Sequence, residues 1–181
     1  PFPLSRRRFI QNSTLLASTF AIGAARGASA NGDVRVAVVG INSRGMKLVE
    51  DIIRTDGASL VALCDVDSAV LNKQAAKVES DHGVKADKLQ SYRKLLERSD
   101  IDAVALATPN HQHAIQTIWA CQAGKDVYVE KPVCHTVWEG QQMMAAAKKY
   151  NRIVQPGFQN RSDTGLNEAF DWIKAGNIGD I

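Results

Sequence analysis

The sequence predicts an α/β fold built on a doubly wound parallel sheet, and two patterns support this prediction. From Asp33 onward, short apolar runs alternate with stretches in which apolar residues recur every three or four positions, as on one face of a helix. The runs are nearly continuous in Val, Ala and Leu, which is typical of parallel strands buried on both faces. Strands that alternate with helices form right-handed crossover units, so the topology should be close to that of a doubly wound sheet.

Five apolar runs predict the strands. In chain order they are VRVAVVG, ASLVALCDV, IDAVALATP, DVYVE and RIVQ. The third run ends at Pro109, which cannot continue a strand ladder. The polar stretch SDHGVKADKLQS, residues 80–91, predicts a loop with room for one further short strand.

Helical spacing of apolar residues predicts the helices between these strands. Apolar faces indicate helices around residues 48–53, 70–78, 114–119 and 166–173, and a short helix is expected over Tyr92 to Arg98. Gly124 and Gly176 are expected to end two of them. A further helix should begin at Thr136 in a capping box with Glu139, and Asn151 should end it.

Composition and charge limit the classes of function. The chain has 181 residues, enough for one ordinary domain, and 45% of them are hydrophobic. Its formal charge of +3 comes from Arg6, Arg7, Arg8 and Arg26, because no acidic residue precedes residue 31. Without those four arginines, 18 of the 22 basic residues remain against 19 acidic ones, a net charge of −1. A nearly neutral body gives no electrostatic basis for binding nucleic acid.

Residues 1–30 are expected to be an export signal rather than part of the fold. The basic stretch SRRRFIQ precedes the apolar run TLLASTFAIGAA, which is too short to span a bilayer, and ASA at residues 28–30 has the form of a cleavage site. The basic part is similar to a bacterial twin-arginine signal, and a Sec signal is the alternative. We therefore expect a periplasmic or otherwise exported protein without a membrane span.

The predicted domain organisation has three parts. Residues 1–30 form the export signal, residues 31–155 form the sheet domain, and residues 156–181 begin a second domain. The chain starts at Pro1 and ends at GNIGDI before another element is complete. We therefore expect a fragment from which a second α/β domain with an open sheet has been truncated.

The turn after the first strand has the chemistry of a dinucleotide site. In GINSRG, Gly40 and Gly45 hold the outer positions of the G-x-G-x-x-G fingerprint, and Asn42 replaces its middle glycine. Asn tolerates positive φ better than most residues, so the turn should survive this replacement. Asp65 ends the second strand, 25 residues after Gly40, as expected for an acid on the adenosine ribose. Asp67 or Ser68 can cap the following helix, which leaves Asp65 free for that role; capping by Asp65 is the alternative.

Polar groups also follow later strands at the edge of the sheet where ligands bind. Pro109, Asn110, His111 and His113 follow the third apolar run, and Glu130-Lys131-Pro132 follows DVYVE. Gln159 and Arg161 follow RIVQ. Because the carboxyl ends of parallel strands meet at one edge of a sheet, we expect these loops to share a crevice.

Cysteine and histidine residues give little support for a disulfide or a metal site. Cys64, Cys121 and Cys134 are odd in number and widely spaced, so we expect small buried side chains. His111, His113, Cys134 and His135 are zinc-ligand types, but nothing in their spacing fixes a geometry. We therefore predict no metal.

Taken in order, GINSRG, CDVD, ATPNHQH, EKP and GFQNR resemble the Gfo/Idh/MocA oxidoreductases, especially the exported members with twin-arginine signals. The resemblance covers residues 33–181. It implies a Rossmann domain followed by a C-terminal open-sheet domain, a nicotinamide cofactor, and hydride transfer to or from a sugar, an inositol or a related polyol. We expect NAD as the cofactor, with NADP possible because Arg44 could accept a 2′-phosphate. A homo-oligomer is expected for the full-length protein.

The resemblance also implies roles for individual residues. Lys131 would be catalytic, because its ammonium can stabilise negative charge on the reacting oxygen, and Glu130 would orient it. The Lys131–Pro132 bond could be cis. Substrate contacts are expected from Lys131, His113 and Arg161, with an ordinary surface position as the alternative for Arg161. The acid/base residue would lie in the missing domain. The expected cofactor site comprises Gly40, Asn42, Ser43, Arg44, Gly45, Asp65, Thr108, Pro109, Asn110, His113, Glu130 and Lys131.

The sequence is compatible with two other functions. Some exported relatives are glycosidases that use bound NAD for transient oxidation, but they tend to vary at the Glu-Lys-Pro position, so this intact motif favours a dehydrogenase. A non-catalytic dinucleotide-binding sensor is the third possibility, and the presence of Lys131 argues mildly against it.

Overall fold

The computed structural model describes residues 32–179, so the expected export signal lies outside the described residues. Six parallel strands form one sheet in the order β3-β2-β1-β4-β5-β6. The strands are β1 Val34–Val39, β2 Ala58–Cys64, β3 Asp87–Leu89, β4 Ala103–Leu106, β5 Asp126–Glu130 and β6 Val154–Gly157. The doubly wound parallel sheet predicted from the sequence is therefore confirmed.

Helices connect the strands. They are α1 Arg44–Ile53, α2 Ser68–His82, α3 Tyr92–Leu96, α4 Asn110–Gln122, α5 Val137–Tyr150 and α6 Thr164–Lys174, with a 3₁₀ turn at Gln159–Ser162 before α6. Asp67 caps α2 by accepting from the backbone N–H groups of Ala69 and Val70. The predicted capping box of Thr136 and Glu139 is present, and α5 ends at Asn151 with φ of 51°.

Core residues lie on both faces of the sheet, because neighbouring residues of each strand point to opposite sides. In β1, Val36 and Val38 pack with Leu48 and Val49 of α1 on one face. Ala37 and Val39 pack with Leu106 and Val129 on the other. These buried side chains fix the carboxyl ends of β1, β2, β4 and β5 at one edge.

The chain reverses its direction of travel across the sheet between β1 and β4. It moves outward from β1 to β2 and β3, then crosses back to β4 and continues to β6. The connections after β1 and β4 consequently lead to opposite sides, and a crevice opens between them at the carboxyl edge. This switch point positions the candidate site.

The C-terminal part of the described chain differs from the rest in burial. β6 pairs with β5 through Gly157, so the sheet extends two residues past the boundary predicted at residue 155. No residue of α6 is buried, although Leu166 and Phe170 lie on its apolar face.

Within residues 32–179, no helix is both long enough and apolar enough to cross a membrane.

Candidate active site

Gly40 and Gly45 allow the turn between β1 and α1 to close tightly. Gly40 has φ of +81°, and a Cβ there would lie 2.8 Å from the carbonyl oxygen of Ala107. A Cβ on Gly45 would lie 1.9 Å from the carbonyl oxygen of Gly40. Neither position can hold a side chain without moving backbone. The expected use of positive φ at Asn42 is wrong, since Asn151 is the only non-glycine residue with positive φ in the part of the chain described.

The tight turn places the amino end of α1 at the carboxyl edge of the sheet. α1 starts at Arg44, directly after the exposed residues Asn42 and Ser43. The first N–H groups of a helix have no partner within it and carry a partial positive charge. This end of α1 is therefore suited to hold a pyrophosphate.

A cavity of about 700 Å³ opens beside this turn, at the switch point between β1 and β4. Seven of the residues predicted to bind a cofactor line it: Gly40, Asn42, Ser43, Arg44, Asp65, Thr108 and Pro109. Much of the remaining wall comes from Val39, Cys64, Val66, Tyr92, Ala107 and Gln116. A mostly apolar wall with a few polar groups is typical of a cofactor site.

Asp65 lies at the end of β2 with its carboxylate partly engaged. One oxygen accepts from the backbone N–H of Ile41 at 3.0 Å, and the other accepts from that of Asp67 at 3.1 Å. A carboxylate has about four acceptor positions, so about two remain for further donors. These positions suit the two hydroxyls of a ribose. Asp67, and not Asp65, caps α2, as the sequence allowed.

Cys64, the residue before Asp65, also faces this cavity. Burial, followed by the charge of Asp65, raises the pKa of the Cys64 thiol to about 12. The thiol therefore stays protonated at neutral pH. Cys121 is buried as well, in agreement with the expectation of small buried side chains, while Cys134 is half-buried.

Glu130 joins three loops at the edge of the sheet. Its carboxylate accepts from Arg44 Nε at 2.6 Å and from Gln159 Nε2 at 2.6 Å. It also accepts from the backbone N–H of Lys131 at 3.3 Å. Glu130 was expected to orient the Lys131 side chain, but its ionic partner is Arg44, because the glycine turn brings the guanidinium to the buried carboxylate.

Tyr128 completes this group. Its hydroxyl accepts from Gln159 Nε2 at 2.8 Å, so the two hydrogens of that amide are shared between Tyr128 and Glu130. Burial, followed by the charge of Glu130, raises the pKa of the Tyr128 hydroxyl, which keeps it neutral. A role for Gln159 and Tyr128 was missed in the sequence, where GFQNR and DVYVE mark their positions but no spacing indicates that they meet.

Lys131 borders a second cavity, of about 420 Å³, between the ends of β5 and β6. Its other lining residues include Phe158, Gln159 and Arg161, so the structure brings two predicted substrate residues, Lys131 and Arg161, to one cavity. The Lys131–Pro132 peptide is cis. Lys131 is exposed, and its ammonium forms no ion pair with the residues at positions 32–179. It is therefore accessible to a ligand.

His113 was predicted to border the nicotinamide and the substrate, but the structure buries its ring between two loops. The ring is 1% exposed, with Nδ1 at 2.7 Å from the carbonyl oxygen of Pro132 and Nε2 at 2.8 Å from that of Thr108. Both ring nitrogens thus face backbone, which leaves none for a ligand. We assign His113 a positioning role, because it connects the loop after β4 to the loop that carries Lys131.

The other residues of this loop differ in exposure. Asn110 starts α4 at the carboxyl edge and is exposed, as is His111. Thr108 donates to the side-chain oxygen of Gln116 at 2.7 Å.

Among residues 32–179, no group of three or more His, Cys, Asp or Glu side chains could hold a metal ion.

Solved structures with similar folds include inositol dehydrogenases. Myo-inositol 2-dehydrogenase from Lactobacillus plantarum has a TM-score of 0.72 and 29% identity, over 82% of this chain and 43% of its own. Scyllo-inositol dehydrogenase from Lactobacillus casei, with bound NAD(H) and scyllo-inositol, has a TM-score of 0.71 and 26% identity, again over 82% and 43%.

A curated relative bears the name of a different activity. A glycosyl hydrolase family 109 protein of Shewanella baltica (strain OS155 / ATCC BAA-1091) is 36% identical in an alignment of 125 residues, and the match covers 64% of this chain and 26% of that protein. The chain thus spans about a quarter of the length of this relative and less than half that of the two dehydrogenases.

A family model identifies the group to which the chain belongs. Residues 34–158 match the Gfo/Idh/MocA model, described as an oxidoreductase family with an NAD-binding Rossmann fold. The match covers all six strands and includes the glycine turn, Asp65, Glu130 and Lys131. The fold, the cavity at the switch point and this match agree, and the chain therefore belongs to the Gfo/Idh/MocA family of oxidoreductases with an NAD-binding Rossmann fold.

Proposed function

We propose that this chain forms the cofactor half of an enzyme that transfers a hydride between NAD and a carbon bearing a hydroxyl group on a sugar, an inositol or a related polyol. One observation carries the proposal. Lys131 and Arg161 line one cavity. Lys131 directly follows Glu130, which accepts a hydrogen bond from Arg44, and Arg44 lines the larger cavity beside the glycine turn. A cation for a reacting oxygen thus lies next to a site for a hydride carrier.

The residues of the larger cavity fit a dinucleotide. Backbone approaches closely at Gly40 and Gly45, where side chains would collide, and the amino end of α1 can bind a pyrophosphate. Asp65 has acceptor positions left for ribose hydroxyls. When bound, NAD supplies the acceptor or donor of the hydride. Thr108, Pro109 and Asn110 are proposed to border its nicotinamide half, because they follow β4 on the other side of the crevice.

Lys131 is proposed as the catalytic residue of this chain. Negative charge grows on the carbinol oxygen as a base removes its proton during oxidation, or on a carbonyl oxygen as hydride is added during reduction, and a positioned ammonium stabilises that charge. Arg161 is proposed to contact another hydroxyl of the substrate in the same cavity. His113 and Glu130 act indirectly: each binds the backbone beside Lys131 and fixes where its side chain starts.

A substrate panel tests the proposal. The complete encoded protein should reduce NAD⁺ with at least one inositol, aldose or alditol, which is followed as NADH absorbance. NAD⁺ should bind with a stoichiometry of one per chain in calorimetry. Binding without turnover on any polyol or glycoside would instead indicate a non-catalytic dinucleotide-binding protein. Absence of NAD⁺ binding would overturn the proposal.

A glycosidase that uses NAD for transient oxidation is the second candidate. It is favoured by the 36% identity to the glycosyl hydrolase family 109 protein, which exceeds the identity to the two inositol dehydrogenases. Such an enzyme would release an aryl group from nitrophenyl glycosides without net formation of NADH. Net NADH from a free polyol supports the dehydrogenase, and aryl release without NADH supports the glycosidase.

We also propose export by the twin-arginine route. The support is the sequence SRRRF before a short apolar run, in residues outside the described part of the chain. Replacing both Arg6 and Arg7 with lysine should retain the protein in the cytoplasm, as measured by cell fractionation. The single change Arg26→Lys is the matched control and should not alter export. Unchanged secretion of the Arg6→Lys/Arg7→Lys variant would contradict the twin-arginine route.

A further inference from the structure

We propose that Glu130 is a specificity-determining residue of the dinucleotide site. By binding Arg44, it holds the guanidinium away from the adenosine 2′ position and so favours NAD over NADP. The inference rests on the proposed function, because it requires that the cavity beside the glycine turn bind a dinucleotide.

Arg44 has the chemistry that an NADP site needs. It directly precedes Gly45 in the turn, and it lines the same cavity as Asp65. Among the described residues around that cavity, it is the one Lys, Arg or His side chain. A nearby arginine accommodates the 2′-phosphate in NADP sites, because a guanidinium can bind phosphate through two hydrogen bonds. A free Arg44 would therefore offset the repulsion between Asp65 and that phosphate.

The structure places the Arg44 side chain toward the opposite side of the site. Its Nε donates to Glu130 Oε1 at 2.6 Å, and Glu130 ends β5. Asp65 follows β2, and β2 and β5 lie on opposite sides of β1 in the sheet. Arg44 therefore reaches across the crevice, toward the loop of Lys131, when Glu130 binds it.

The ion pair of Arg44 and Glu130 should persist when a nucleotide binds, because the Glu130 carboxylate needs the charge of Arg44 to balance its own. The Glu130 side chain is 5% exposed, and Arg44 is its only ionic partner among residues 32–179. The Arg44 side chain is 37% exposed, but its removal would leave the buried Glu130 carboxylate without a counter-charge, which is unfavourable. A phosphate at the mouth of an open cavity keeps part of its hydration, so its attraction for Arg44 is weak. The free energy gained by pairing Arg44 with that phosphate is therefore smaller than the free energy lost when Glu130 gives up its ionic partner.

Gln159 makes this arrangement more rigid. Its amide donates to the same Glu130 oxygen that accepts from Arg44, at 2.6 Å, and is held in turn by Tyr128. Glu130 therefore cannot follow Arg44 toward Asp65 without losing a second hydrogen bond. The geometry makes the carboxylate a fixed anchor and leaves Asp65 as the charge that a 2′-phosphate would meet.

Calorimetric titration with NAD⁺ and with NADP⁺ tests the inference. Four forms of the complete encoded protein are titrated: wild type, Glu130→Gln, Arg44→Met and the double variant. Wild type should prefer NAD⁺. Glu130→Gln should shift the ratio of dissociation constants toward NADP⁺ by about tenfold, the scale of one charge-assisted hydrogen bond. The double variant should lose that shift, since the gain depends on a released Arg44.

A fifth form, Glu130→Asp, and the single Arg44→Met variant keep the test decisive if Glu130→Gln does not fold, as judged by circular dichroism and thermal unfolding. Glu130→Asp keeps the charge but withdraws it by one methylene, and it should shift selectivity in the same direction. Arg44→Met alone should leave the ratio of dissociation constants within about threefold of wild type, because a held guanidinium does not contact the phosphate. A selective loss of NADP⁺ affinity in Arg44→Met would overturn the inference.

The remaining outcomes separate this inference from the proposed function. If wild type binds neither dinucleotide, the proposed function fails. If wild type binds NAD⁺ but Glu130→Gln has unchanged selectivity, or if its gain persists in the double variant, the role of Glu130 is wrong and the proposed function stands.

Discussion

Lys131→Ala should lower turnover by roughly 100-fold or more and leave NAD⁺ affinity nearly unchanged, because loss of one group that stabilises a developing oxyanion has about this effect. The lysine is exposed in its own cavity beside Arg161 and makes no ion pair with residues 32–179 that its loss would disrupt. Turnover is measured with whichever polyol or glycoside the panel identifies, and affinity is measured by calorimetry.

Lys148→Ala is the matched control for this change. Lys148 is also exposed, but it lies in the last turn of α5, away from both cavities. It should keep normal turnover. Near-normal turnover of Lys131→Ala would reduce Glu-Lys-Pro to a structural turn, and a matching loss of NAD⁺ affinity would place Lys131 in cofactor binding instead.

Gly45→Ala should weaken the affinity for NAD⁺ and lower the thermal stability of the chain. The added Cβ would lie 1.9 Å from the carbonyl oxygen of Gly40, so backbone must move on one side of the turn. Overpacking of this kind costs about 1–3 kcal/mol of folding free energy, and more where backbone is involved. The same movement displaces the N–H groups that would bind the pyrophosphate. We expect at least about tenfold weaker NAD⁺ binding, equivalent to about 1.4 kcal/mol.

Gly165→Ala provides the control for a glycine-to-alanine change. Gly165 lies in α6, and its added Cβ would come no closer than 3.4 Å to Asp163 Oδ1. Alanine favours a helix over glycine by about 1 kcal/mol, so stability should stay level or rise. Wild-type affinity and stability in Gly45→Ala would show that the turn is loose and that its glycines do not define the site.

Local patterns were sufficient to predict most of the fold. Five strands are nearly continuous apolar runs, the helices have apolar residues at helical spacing, and capping by Thr136, Glu139 and Asn151 depends on residues close in sequence. β3 was the weakest expectation, because Asp87, Lys88 and Leu89 form a strand only by pairing with β2. Three residues with one apolar side chain carry no periodic signal of their own.

The partners of the site residues were harder to predict, since they come from distant parts of the chain. Arg44 and Glu130 are 86 positions apart, and the pairing depends on how β1 and β5 are placed in the sheet. Glu130 and Lys131 are adjacent in sequence, which suggested a pair, but a strand directs neighbouring side chains to opposite sides. His113 likewise contacts the carbonyl oxygen of Pro132, which lies 19 residues away.

Crystallisation of the complete encoded protein with NAD⁺ would show directly where the dinucleotide binds. We expect one dinucleotide in the crevice between β1 and β4, with its pyrophosphate at the amino end of α1, a ribose on the Asp65 carboxylate and its nicotinamide on the side of Lys131. A dinucleotide bound elsewhere on the protein, or in this crevice with its nicotinamide at Asp65, would contradict this expectation.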